Sequence, residues 1–305
     1  MKPALSLVFF TVLSGAGLGL AVFTTLFAGA LSQRWFLAAI AISLLLVGGG
    51  LGASALHLAN PKNAWRAFMR VRTSWLSREA VFAAVFFPLM ALYAYLHTAS
   101  PGTAVEILRV VLSIIALLTV YCTAMIYQSL KTIAQWHHPN TAFNYLTLSL
   151  MSGGILFNAF VVASCRLSTS SLGVTALFVL LALIGKAFHY RRIGACQDIS
   201  VGNATGFSQA KARLLDAGHT GQTFLTREFI YQQPAAVLRQ RRLWAFALMF
   251  IPAAFSLLVT IAQLPYALVY VAIAVVLMLI GILLERWLFF AEAHHSVRAY
   301  HGVSK

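Results

Sequence analysis

The feature that most limits this chain is a succession of apolar runs of about twenty residues or more, the length a helix needs to cross roughly 30 Å of hydrocarbon. They fall at 3–31, 35–58, 79–97, 105–130, 142–164, 171–190, 243–263 and 266–290. A backbone in lipid must satisfy its own amides and carbonyls, so such runs are helices or the strands of a closed barrel. Barrel strands are about ten residues long with strict alternation, a pattern absent here. The expected class is all-α: a polytopic membrane helix bundle of about eight transmembrane helices.

Composition agrees. Of 305 residues, 60% are hydrophobic and 10% charged, with a mean hydropathy of +0.83. A soluble domain needs far more charge to cover its surface. No charged block is long enough to form a second domain, so 1–305 reads as a single integral membrane domain. The first run exceeds the roughly 7–15 apolar residues of a secretory signal and is expected to be a retained span. Small residues cluster at Gly15 to Gly19, Gly48 to Gly52 and Ser152-Gly153-Gly154, where they are expected to let helices approach closely.

Charge is divided between the two faces. The connections after the first, third, fifth and seventh runs are short, with only Arg34, Arg109 and Arg166 near them. Roughly nineteen of the 22 Lys and Arg fall on the other face, which receives Lys2, the stretch 61–78, Lys131, the loop of about 191–242 and the tail from Arg286 onward. The positive-inside rule then places both termini and the long loop in the cytoplasm. This asymmetry accounts for the net charge of +15 through topology and lipid headgroups, without nucleic acid. The long loop is read either as a dock for a soluble partner or as lipid-facing cover.

The chemistry concentrates between His57 and Glu79. Pro61 ends the second span, because it lacks an amide donor and drives Asn60 from helical geometry. His57 is thereby left at the membrane boundary. Trp65, Phe68, Met69 and Leu76 alternate with Arg66, Arg70 and Arg72, the pattern of a short helix lying in the interface. Ser77 is expected to cap the third span, with Glu79 in its first turn. Each residue has a plainer reading: Glu79 as a helix-dipole acid, the arginines on lipid phosphate, His57 as an interface residue. The chain holds only seven acids, however. A carboxylate beside an imidazole and arginines suits a quinone headgroup, which needs a hydrogen-bond donor, a proton acceptor and an apolar wall.

Other chemistries are less well served. Cys122, Cys165 and Cys196 are too dispersed for an iron–sulfur cluster or a disulfide framework. His137-His138-Pro139 reads as an interfacial turn, since two adjacent imidazoles lack further ligands. Of nine histidines, only His57, His97 and His189 lie near span ends and none is central, which leaves a peripheral haem as the only haem arrangement open. A membrane transporter remains an alternative. It usually needs ionisable groups at mid-membrane or broken helices, and the acids here lie at span ends or in loops.

The run His57-Leu58…Pro61…Arg70…Ser74…Ser77…Glu79 resembles the signature of the membrane-anchor subunits of the dimethyl sulfoxide reductase family (DmsC-like). Weaker similarity lies in Ala124-Met125-Ile126-Tyr127 with Trp136, in His219-Thr220…Arg227-Glu228, and in Leu284-Glu285-Arg286-Trp287. The resemblance spans nearly the whole chain. It implies eight spans and a quinone (ubiquinone or menaquinone) with no haem. It also implies an anchor for an iron–sulfur electron-transfer subunit and a molybdopterin catalytic subunit in a bacterial cytoplasmic membrane. It places His57, Arg70 and Glu79 on positions tied to the quinone, with Arg66 as a substitute for the basic residue missing at Asn63. Ile282 stands where an acid is common, and Glu285 lies about one turn away. A cytoplasmic catalytic module is similar to the sulfite-oxidising (SoeC-like) branch; the alternative within the family is an anchor for quinol oxidation by a reductase.

Overall fold

The computed structural model describes residues 1–56, 58, 60–100, 102–195, 228–229, 231 and 233–301. Eight helices among them are long and apolar enough to span a bilayer. They are α1 (Leu5–Leu26), α2 (Gln33–Ala55), α3 (Trp75–Ala99), α4 (Thr103–Gln128), α5 (Asn140–Ala163), α6 (Thr169–Ala195), α7 (Ala235–Ala262) and α8 (Ala267–Ala291). No strand occurs among the described residues. The protein is a multi-pass membrane helix bundle.

α1 sits at the centre, packed against α2, α4, α5 and α8. The small residues explain how. A Cβ on Gly19 would fall 1.9 Å from the Ser149 carbonyl oxygen, and one on Gly153 would fall 2.1 Å from the Gly19 carbonyl carbon. The α1 and α5 backbones therefore touch where only glycine fits, the close approach that replaces hydrophobic driving force in lipid. On its other side, α1 meets α2 through Gly17 and Gly50, and Ser43 donates to the Gly17 carbonyl at 2.8 Å. Gly49 and Gly52, by contrast, have nothing within 4 Å.

Four boundaries differ clearly from those expected. α1 ends at Leu26, and Ala28–Ala30 form a 3-10 turn where the first span was expected to run to 31. α3 starts at Trp75 with Ser74 as its cap, whose hydroxyl accepts from the Ser77 amide at 3.3 Å. Ser77 is thus inside the helix, and Glu79 lies beyond the first turn. α6 runs on to Ala195 and α7 begins at Ala235, so both ends of the expected 191–242 loop are helical. Arg241 lies 4.3 Å from the centre of the Trp287 ring and Arg242 pairs with Glu292, which lets these charges ride on a helix that extends past the apolar layer. Residues 196–227, including Cys196, Asp198, Asp216 and His219, lie outside the described residues.

Between α2 and α3 the chain forms a 3-10 helix, Pro61–Arg70. Trp65, Phe68 and Met69 are exposed on it, as an interfacial segment requires. The ends of α2, α4, α6 and α8 and the starts of α1, α3, α5 and α7 share one end of the bundle, which carries most of the basic residues.

Candidate functional site

The local sequence builds a pocket at that basic end. The 3-10 helix turns into α3 through Val71 to Ser74, and Arg78 holds the turn. Its guanidinium donates to the Val71 carbonyl at 2.9 Å and the Arg72 carbonyl at 2.8 Å, and lies 4.1 Å from the Trp75 ring centre. Trp75 in turn meets Tyr121 of α4 edge-on. The 3-10 helix is thereby fixed over the start of α3, with an open-sided cavity of about 610 Å3 between it and α1, α2 and α3.

Arg66, Arg70 and Glu79 all line this cavity. Phe10, Leu51, Leu58 and Phe68 supply apolar walls, and Asn60, Asn63, Ser74 and Ser77 supply polar ones. The two arginines are exposed; Glu79 is 3% exposed. One of its carboxyl oxygens is hydrogen-bonded by the Thr123 hydroxyl of α4, which also lies 3.0 Å from the Thr119 carbonyl. A buried acid with a single neutral partner among the described residues is expensive in a membrane, and Glu79 lies beyond the first turn of α3, where the helix dipole would favour it. Three of the four residues singled out from the sequence therefore meet in one cavity. The fourth, His57, lies outside the described residues.

A second cluster, not singled out from the sequence as such, lies at the same end between α5, α6 and α8. Lys186 Nζ is 2.5 Å from Glu285 Oε1, and Arg286 Nε is 3.5 Å from Glu285 Oε2, all essentially buried. Arg286 sits 3.7 Å above the Tyr145 ring centre. Glu292, just beyond α8, is pushed above the usual carboxylate range by burial, a shift that its partner Arg242 opposes. The available signal was Lys186 itself, a lone cation inside the apolar run Leu183 to Phe188.

His97 packs against Phe36 at 4.3 Å and near Tyr93, at the opposite end of the bundle from the cavity. Among the described residues no three His, Cys, Asp or Glu side chains converge as metal ligands.

A family profile described as DMSO reductase anchor subunit (DmsC) matches residues 1–291. The chain belongs to the DmsC anchor family. This DmsC-family protein is 34% identical to the C subunit of the sulfite dehydrogenase of Allochromatium vinosum, across 99% of both sequences. It is 29% identical to the C component of the anaerobic dimethyl sulfoxide reductase of Haemophilus influenzae, over 50% of this protein and 56% of the relative. The corresponding C component from Escherichia coli is likewise 29% identical, over 37% and 40%. The DmsC-family protein is thus a membrane anchor subunit of an oxidoreductase.

Proposed function

We propose that this anchor exchanges electrons between a membrane quinone and the iron–sulfur subunit of a molybdopterin enzyme, at the cavity lined by Arg66, Arg70 and Glu79. The observation that carries the reading is the cavity itself, apolar on most sides and closed at its inner wall by a buried carboxyl. These residues fit a quinone: isoprenoid would lie against Phe10, Leu51 and Phe68, with the polar ring facing the arginines and the acid. When bound, the quinone supplies two-electron, two-proton redox chemistry. Glu79 holds or releases a proton at its carboxyl and passes it inward through Thr123. Arg66 and Arg70 donate hydrogen bonds from the interface and orient the ring. His57, carried into the proposal by sequence alone, binds an oxygen.

The finer reading is sulfite oxidation, with electrons entering the quinone pool from a catalytic module in the cytoplasm. It is supported by end-to-end similarity to a sulfite dehydrogenase subunit and by the basic end, which the positive-inside rule assigns to the cytoplasmic side of the inner membrane. Anchoring a reductase that oxidises quinol is the other direction of the same chemistry.

The test is binding of a short-tailed ubiquinone analogue to the purified complex, comparing the native protein with Glu79→Gln, Arg70→Ala and His57→Ala. A charge-assisted hydrogen bond is worth about 1.5–3 kcal/mol, so each loss is expected to weaken binding by roughly tenfold or more. Unchanged affinity in all three assembled variants refutes the site. Quinone reduction on adding sulfite, rather than quinol oxidation by dimethyl sulfoxide, decides the branch.

A further inference from the structure

The Lys186–Glu285–Arg286 cluster is larger than a structural ion pair needs to be, and it is incompletely satisfied. Fixing two helices asks for one well-bonded pair. Here the hydroxyls of Tyr145 and Tyr190, His189 Nδ1 and Glu292 Oε2 are buried and make no protein hydrogen bond among the described residues, and Glu285 Oε2 and Arg286 Nε have only each other, at 3.5 Å. Native proteins rarely leave buried polar atoms unpaired, and where several converge, ordered water is the usual partner. Inside an apolar bundle the need is stronger, because lipid offers no substitute.

The cluster is also continuous with the proposed quinone cavity. Thr123, which bonds Glu79, stands one helical turn before Tyr127 on α4. The Tyr127 ring stacks on Tyr145 of α5 with centroids 5.8 Å apart. Tyr145 lies under Arg286, whose neighbour Glu285 reaches Lys186 on α6. From there Lys186 lies 4.8 Å from the Tyr190 ring centre, and Tyr190 is flanked by His189 and by Arg242, the partner of Glu292. Polar and titratable groups therefore run from the back wall of the cavity, through α4, α5, α8 and α6, to the basic surface. The bundle interior on the far side of Glu79 is otherwise mostly apolar.

Resting on the quinone reading above, we propose that this file is a hydrated proton-transfer route between Glu79 and the basic surface of the bundle, with Glu285 and Lys186 as its inner relay. Each step moves one proton and no electron. Glu79 gives a proton toward Thr123 and regains one from the quinone site. The Tyr127 and Tyr145 hydroxyls each accept a proton from water on one side while releasing their own on the other, so they end unchanged. The Glu285–Lys186 pair takes up the proton and passes it, by way of Tyr190 and Glu292, to the surface. The direction reverses when the quinone is being reduced. Glu285 and Lys186 touch neither the quinone nor the partner's iron–sulfur cluster and act through Glu79. Their neighbours that set the local charge are Arg286 on α8, Arg242 on α7, Glu292 beyond α8, and His189 and Tyr190 on α6.

The experiment uses the intact complex with Glu285→Gln and Tyr145→Phe. Tyr145→Phe keeps the ring under Arg286 and removes only the hydroxyl, so it decides the matter if Glu285→Gln does not assemble. Both are expected to slow quinone-coupled turnover by about tenfold or more, to enlarge its solvent deuterium isotope effect and to alter its pH profile. Binding of the short-tailed ubiquinone analogue should stay as in the native complex. Infrared difference spectra between oxidised and reduced complex should show a deuterium-sensitive carboxyl band that Glu285→Gln abolishes and Tyr145→Phe shifts. Unaltered turnover, isotope effect and infrared band in assembled variants make the cluster a structural clamp and overturn the route. A native complex that binds no quinone analogue refutes the quinone reading itself, and the route falls with it.

Discussion

Replacing Gly153 with alanine tests the architecture most directly. Its Cβ would arrive 2.1 Å from the Gly19 carbonyl carbon and 2.3 Å from the Leu20 amide nitrogen, whereas ordinary contact begins at 3.4 Å. The obstructing atoms are backbone, so no side chain can swing away; α1 and α5 must part by more than 1 Å. Overpacking of this kind costs about 1–3 kcal/mol, and the helix propensity gained by alanine returns up to about 1 kcal/mol. Because the overlap is with backbone that cannot swing away, the cost falls at the upper end of that range, and the expected net loss is about 1–2 kcal/mol. Gly49→Ala is the matched control, with nothing within 4 Å of the new methyl and a neutral or slightly favourable outcome. The assay is equilibrium unfolding of the purified protein in mixed micelles, followed by tryptophan fluorescence. Equal stabilities for the two variants would refute the claim that the α1–α5 contact is set by glycine.

Three further outcomes follow from the charged end. Lys186→Met removes the nearer partner of Glu285 and leaves only Arg286, at 3.5 Å, to offset its buried charge; it is expected to destabilise the bundle by up to about 3–5 kcal/mol in the same unfolding assay, and adding Glu285→Gln should restore part of that loss. His295, stacked on Phe229 at 4.7 Å, has its pKa held below 6.5 by burial. The folded state therefore favours the neutral ring, and the segment Ser296–His301 should loosen as pH falls through 6.5 and stay closed above it, as hydrogen exchange of that segment will show. Single cysteines placed at Lys131 and at Ser100, in a background without native cysteines, should react with an impermeant thiol reagent from opposite sides of the membrane; labelling of Lys131→Cys from outside would invert the proposed topology.

The spans and the candidate cavity were legible because both depend on short-range pattern. Arg66, Arg70 and Glu79 lie within a few turns of one another, on two elements joined by one tight turn, and the resemblance to the anchor-subunit signature picked them out. The choice of cap was harder, since Ser74 and Ser77 both precede apolar residues. The clasp of Arg78 on the Val71 and Arg72 carbonyls favours Ser74, and it is a contact made only once the turn exists. The start of α7 was hidden because Arg239, Arg241 and Arg242 read as a loop, although an amphipathic first turn projecting from the membrane carries such charges easily. Lys186 and Glu285 are 99 positions apart, and no local rule joins them; the intramembrane lysine was the one visible hint.

The central place of α1 also sets the order in which this protein can be made. α2 follows at once and covers the Gly17 side, but the Gly19 side must wait for Gly153. With synthesis at about 5–20 residues per second, that helix arrives roughly 7–30 s after α1 is complete. Through that interval the first helix stands in the membrane with an open seam, shaped for one partner. Polypeptides cut short before α5 keep the seam open permanently, which gives the membrane's quality-control proteases a way to tell an unfinished copy from a finished one.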